Sequence, residues 1–259
     1  MFLLFCALAA LAAPDASAQP ASTLTLAPPA AYKGGKPGTA SLIGRVRLNR
    51  LPPPKKFQVT KNADKCGREK SDASVIYSSD KGLKNVAIWI DGVRVGKDVP
   101  KDNVVLKNIT CMYEPRVTVT AQGTTLELRN YDGTQMNATA YLRPGTLGFG
   151  LPMRVDAATP ALFSAALPVK GLIHKRKLSE LGLLDLRADP QQPWVQAFVW
   201  VLDHPYGSVS DDGGYFAIEK LPAGPVTVHA WHEVYGHKSQ TVEIPADPLA
   251  QSVRVDFEY

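Results

Sequence analysis

The stretch VQAFVWVLD, residues 195–203, is apolar on both of its faces when read as a strand. Successive side chains of a strand point to opposite sides. Phe198, Trp200 and Leu202 then face one way, and Val195, Ala197, Val199 and Val201 face the other. A strand without a polar side is covered on both, so it belongs at the centre of the body or where two sandwiches meet.

Outward from this stretch, short β-rich runs recur in both directions: SLIGRVRL, KNVAIWIDGV, PRVTVTA and TTLELRN before it, YFAIE, PVTVHAWHE and SVRVDF after it. Gly, Pro, Asn and Asp separate them, the punctuation of an all-β sandwich. One segment, LIHKRKLSELG at 172–182, spaces Leu at helical intervals and reads as a short helix. Residues 19–38, rich in Pro, Ala and Gly without a sustained period, read as a flexible linker. No strict internal repeat is present, and the remaining length suits one large or two small sandwiches.

The opening MFLLFCALAALAAPDASA carries an apolar run of secretory length, too short to span a bilayer, followed by a small-x-small signal at Ala16-Ser17-Ala18. Residues 1–18 therefore read as a signal peptide, although no Lys or Arg precedes the run. The expected product is periplasmic or secreted, with no transmembrane span after cleavage. Its 29 Lys and Arg face 23 acids once Asp15 is removed from the 24, a formal charge of 29 − 23 = +6. Residues 33–70 hold eleven of these cations against Asp64 and Glu69. That surface is either a solvated face or a contact for an anionic envelope lipid or cell-wall polymer. Export makes nucleic acid an unsuitable partner.

Cys66 and Cys111 are the cysteines left after the signal, and in an oxidising compartment an even pair reads as a disulfide. Three of the five histidines fall in VHAWHEVYGH, residues 228–237. On a strand His229 and His232 point in opposite directions and cannot chelate one ion together, whereas His232 and His237 can approach across the turn at Tyr235-Gly236 beside Glu233. The alternative is imidazoles that hydrogen-bond backbone. His204, before a proline, reads as a turn fastener, and His174 as a solvated loop residue. In SDDGGYF, Asp211 and Asp212 read as hairpin residues, with a weak calcium site as the alternative. No G-x-S-x-G, H-E-x-x-H or phosphate-cradling glycine loop occurs, so no enzyme is predicted and catalytic residues are none.

DHPYGSVSDDGGYFAIEKLPAGPVTVHAWHEVYG, residues 203–236, resembles the core of carboxypeptidase regulatory-like domains, which are transthyretin-like β-sandwiches without catalytic residues. SLIGRVRL and GLKNVAIWIDG resemble the opening strands of the same module, which would split it around an insert. KCGRE (65–69), KGLKNVAIWI (81–90), residues 110–140 and PWVQAFVWVLDHPY (193–206) resemble exported, methylamine-utilisation-like proteins that join this module to a cupredoxin-like domain. The resemblance implies a cupredoxin-like Greek-key sandwich over 39–202, with strands of 39–93 shared, and a regulatory-like module over 203–259.

Copper-binding relatives carry a His after the N-x-D turn and a C-x-x-H-P-W-M run whose Cys, His and Met complete a blue-copper set. Here NYDGTQM offers Met136, and LRADPQQPWV offers no Cys, Gln192 before Pro193-Trp194, and Val195 in place of the Met. The resemblance thus implies degenerate copper positions, with no metal or cofactor expected. The resulting expectation is a non-enzymatic binding or structural protein of the envelope, its partner an unknown envelope protein or a glycan. In a carbohydrate-binding reading, Trp194, Tyr206, Trp231 and His232 are the candidate ligand contacts. In a rival electron-transfer reading, Met136, Met153, His204, His232 and His237 assemble an unconventional copper site.

Overall fold

The doubly apolar strand Gln196–Leu202 lies inside a five-stranded sheet, antiparallel to Gly182–Arg187 on one side and parallel to Val117–Ala121 on the other. Val195, Ala197, Val199 and Val201 pack into one apolar core, while Phe198, Trp200 and Leu202 pack into another. Period-2 alternation along one strand thus serves two interiors.

The computed structural model describes residues 31–144, 159–247 and 252–259; residues 1–18, read as a signal peptide, and the first part of the 19–38 segment lie outside them. In chain order the principal strands begin with β1 (Ala40–Arg47) and β2 (Ala87–Asp91). There follow β3 (Val104–Ile109), β4 (Met112–Glu114), β5 (Val117–Ala121), β6 (Thr125–Asn130), β7 (Met136–Pro144), β8 (Phe163–Leu167), β9 (Ile173–Lys177), β10 (Gly182–Arg187) and β11 (Gln196–Leu202). The chain closes with β12 (Gly207–Val209), β13 (Tyr215–Leu221), β14 (Gly224–His232), β15 (Gly236–Ile244), β16 (Ser252–Arg254) and β17 (Phe257–Glu258).

Sheets β9-β6-β3-β4 and β8-β7-β10-β11-β5 enclose the first core, built on Leu106, Leu126, Leu128, Leu184 and Val199. Sheets β12-β2-β14-β15 and β13-β1-β16 enclose the second, built on Leu42, Val46, Ile88, Ile90 and Val228, with β17 also pairing β1. The architecture is all-β, two sandwiches within the compact unit Ala31–Tyr259. β1 pairs β13 and β2 pairs β12 and β14, so the two earliest principal strands complete the C-terminal sandwich. β1 and β2 thus stand with the strands of 203–259, and the first sandwich lies between them in sequence, while Val59 and Cys66, between β1 and β2, pack into the first core.

Two local expectations are overturned. Residues 173–177 form β9, an edge strand whose Ile173, Lys175 and Lys177 point to solvent, not a helix. Its register sets Lys175 opposite Glu127, and the Lys175–Glu127 ion pair at 2.9 Å holds it to the sheet. Nor are residues 32–38 a free linker: Lys33 and Gly34 pair with Val95 and Gly96, Lys33 N donates to Arg94 O at 2.9 Å, and Gly38 N donates to Lys220 O at 3.2 Å. At Gly38 a Cβ would lie 1.7 Å from Leu221 O, which explains glycine there.

The single-turn helix Ala63–Cys66 brings Cys66 to Cys111, and the two form a disulfide with a Cα separation of 5.6 Å. Cys111 sits in the β3–β4 turn, where Thr110 and Cys111 have φ of 51° and 56°. Asp132 of the NYDG segment holds that turn, its carboxylate accepting Thr110 N at 2.8 Å and Cys111 N at 2.7 Å. Charge-assisted bonds of this kind stabilise a left-handed pair that L residues otherwise avoid.

Candidate functional site

The second sandwich meets the first through the outer face of β11. Register places Trp89 of β2 opposite His229 of β14, and Trp231 of β14 opposite His237 of β15. Trp89, 1% exposed, is stacked between Trp200 (ring centroids 4.6 Å apart) and His229 (5.1 Å). Trp231 meets Phe198 and Trp200 edge-on at 5.2 and 5.6 Å. Offset and edge-to-face arrangements of this kind add to simple burial.

At the rim of this aromatic cluster three polar groups form a chain. Asp91 Oδ2 lies 3.0 Å from His229 Nε2, and His229 Nδ1 lies 3.0 Å from His237 Nε2. The hydrogen bond to His229 holds the Asp91 carboxyl below its ordinary range. Burial, with the neighbouring His229, pushes the half-buried His237 down to about 4. His237 is neutral at neutral pH as a result. As strand periodicity implies, His229 and His232 do lie on opposite faces. The expected approach of His232 to His237, however, is corrected: it is His229 that meets His237, a diagonal neighbour on the same face of the β14–β15 hairpin.

His232 is fully buried, its Nδ1 accepting Val234 N at 3.2 Å and its ring 5.1 Å from that of Tyr235. Burial, and then the nearby Arg116 charge, push it down to about 3. Glu233 turns instead to Arg116, which follows β4 in the first sandwich, in a two-point ion pair. His204 fastens its turn, Nδ1 accepting Tyr206 N at 3.1 Å. His174 is not a loop residue but stacks on Phe163 within β9.

The proposed sugar-stacking residues are corrected by burial. Trp194 is 3% exposed and donates Nε1–H to Cys111 O at 3.1 Å. Tyr206 is wholly buried, its hydroxyl accepting Lys97 N at 2.9 Å and donating to Lys220 O at 3.0 Å. Trp231 and His232 lie within the packed interior described above. None of the four presents a face to a solvent-borne ligand.

Among the degenerate copper positions, Met136 at the start of β7 is buried in the first core, as is Val195. Val195 and Gln192 also line an open cleft of about 560 Å³, whose walls include Thr139, Tyr141, Arg187, Asp189 and Gln196 and do not include Met136. Type 1 copper needs a thiolate, and Cys66 and Cys111 are bonded to one another. Gln192 and Val195 supply no imidazole or thioether, so the residues do not fit that centre. Met153 of the rival copper set lies outside the described residues. No group of three or more His, Cys, Asp or Glu side chains able to hold a metal occurs among the described residues.

Two of the cleft's lining residues, Arg187 and Gln196, belong to a polar network that sequence reading missed. Asp185 of β10, fully buried, accepts Arg187 Nη2 and Gln196 Nε2, each at 2.8 Å, and pairs with Arg143. Burial alone would raise this carboxyl, but its hydrogen bonds to Arg187 and Gln196 and the Arg143 charge outweigh it and leave it below the ordinary range. Asp189 at the rim accepts Asn137 Nδ2 at 2.9 Å and pairs with Lys61. Arg143, Arg187 and Lys61 stand against Asp185 and Asp189, so every carboxylate is paired, and the half-buried Tyr141 completes a polar wall.

No protein-family model matches the chain, and no curated protein matches it. Among solved structures, it is similar to a purple cupredoxin from Nitrosopumilus maritimus at 18% identity and a TM-score of 0.29, over 38% of this chain and 99% of that one. Amicyanin from Paracoccus versutus aligns at 21% identity and a TM-score of 0.29, over 40% and 85%. A copper-containing nitrite reductase from Thermus scotoductus aligns at 14% identity and a TM-score of 0.30, over 41% of this chain and 24% of its own.

Proposed function

We propose that this chain is an exported, non-enzymatic binding protein of the cell envelope, a cupredoxin-like sandwich without a type 1 copper centre inserted into a transthyretin-like module. A neutral polar ligand, a glycan segment, is received in the cleft beside Gln192 and Val195. The carrying observation is that two of the three positions aligned with copper ligands, Gln192 and Val195, line an open polar cleft, while both candidate thiolates form a disulfide. Planar amides and a tyrosine beside ion-paired, hydrogen-bonded carboxylates suit sugar hydroxyls and ring faces. The regulatory-like identity of the second module is supported by its hairpin, where Asp211 Oδ1 accepts Gly213 N at 2.9 Å and Tyr215 N at 2.8 Å. Export is supported by the disulfide, which persists in an oxidising compartment.

A glycan array probed with wild type, Tyr141→Ala and Gln192→Ala tests the ligand. Binding by the wild type that both variants lose supports the cleft; binding that both retain places the ligand elsewhere, and no binding leaves a protein partner. Copper-reconstituted protein should show no intense blue absorption, because no thiolate reaches the metal.

A further inference from the structure

The Asp91–His229–His237 chain at the rim of the aromatic cluster belongs neither to the cleft nor to the degenerate copper loop. Its order is that of a carboxylate-oriented metal ligand: Asp91 receives the Nε2–H of His229 and so directs the Nδ1 lone pair outward, toward His237 Nε2. We propose that His229 Nδ1 and His237 Nε2 are two adjacent ligands of a divalent transition-metal ion of tetragonal preference, Cu(II) or Ni(II).

The spacing decides the ion class. The two nitrogens are 3.0 Å apart. With metal–nitrogen bonds of about 2.0–2.1 Å, that separation subtends roughly 91–97° at the metal, the angle between neighbouring corners of a square and short of the tetrahedral value zinc adopts. On binding, the proton that His237 Nε2 shares with His229 moves to His237 Nδ1 through solvent, so both rings stay neutral and no net proton is released. His229 is buried, and the half-buried His237 on the edge strand leaves the outer positions to water. With two protein ligands, the site is of moderate affinity.

Trp89 is a built-in reporter, its ring centroid 5.1 Å from that of His229 and 5.9 Å from that of His237. Tag-free protein is titrated with nickel chloride while tryptophan fluorescence is followed. One equivalent should quench saturably in the wild type. His237→Ala, on an exposed edge strand where folding is preserved, should raise the midpoint at least tenfold. Asp91→Asn should raise it severalfold, and His174→Ala in the other sandwich should leave it in place. Absence of saturable quenching in the wild type, or an unchanged midpoint in His237→Ala, overturns the proposal.

Discussion

Arg116 and Glu233 join the two sandwiches through a two-point ion pair in which both side chains are 9% exposed, with Arg116 Nη2 donating to Glu233 Oε2 at 2.7 Å and Nε donating to Oε1. Arg116 comes from the insert and Glu233 from the turn between β14 and β15. Burial pushes the Glu233 carboxyl up even with Arg116 beside it, so desolvation outweighs attraction at this junction.

Such a pair is costly to break and not costly to replace. Glu233→Ala strands the Arg116 charge in the interior and should destabilise the fold by about 3–5 kcal/mol. The double replacement Arg116→Met, Glu233→Leu should recover most of that loss, as read by urea unfolding. A single-variant cost below about 1 kcal/mol would show that water reaches the pair.

Acid should unfold the protein partly through His232. Its folded pKa of about 3 lies well below the unfolded value near 6.5, so under acid the unfolded chain binds a proton that the folded chain refuses. Stability from this group is complete above about pH 6.5 and declines as pH falls toward 3, at up to about 1.4 kcal/mol per unit. The raised Glu233 carboxyl acts in the opposite sense, so the comparison is made against His232→Phe. Between pH 6.5 and 4.5 the wild type should lose about 2–3 kcal/mol more than that variant. Equal losses would mean that His232 protonates without unfolding.

Tyr206 should prove structural. Its buried hydroxyl ties Lys97 N to Lys220 O, and Tyr206→Phe leaves both backbone groups short of a partner. The expected cost is about 1–3 kcal/mol by denaturant unfolding, with glycan-array signal unchanged. A lost array signal in a stably folded variant would return Tyr206 to the binding surface.

The strand alternation of residues 195–203 was readable because a two-residue period states which residues share a face, and both faces proved buried. Period alone misled at 172–182, where Leu spacing imitates a helix. There Glu127 on the neighbouring strand draws Lys175 into an edge pairing that local sequence does not contain. The histidines show the same limit. His229 and His232 were separable within one strand, but the His229–His237 contact depends on the β14–β15 register and on Asp91, 138 residues away. The cleft was half legible: Gln192 and Val195 are neighbours in sequence, whereas Arg187 and Tyr141 enter through the pairing of β10 with β7 and β11.

The Cys66–Cys111 bond closes a separation of 45 residues that includes β2 and the first strand of the insert, so it staples the insert to the segment leading into it. Closing a loop of that length removes unfolded-chain entropy worth about 3–4 kcal/mol. The Cys66→Ser, Cys111→Ser variant should lose about that much in urea unfolding, and the intact mass of oxidised wild type should fall about two daltons below the reduced form. The effect should reach Trp194, whose indole donates to Cys111 O and whose ring lies 6.3 Å from Phe57. Reduction should therefore shift tryptophan emission before global unfolding begins. Two freely alkylatable thiols in the native protein would remove the staple, and with it the objection that no thiolate is free to bind copper.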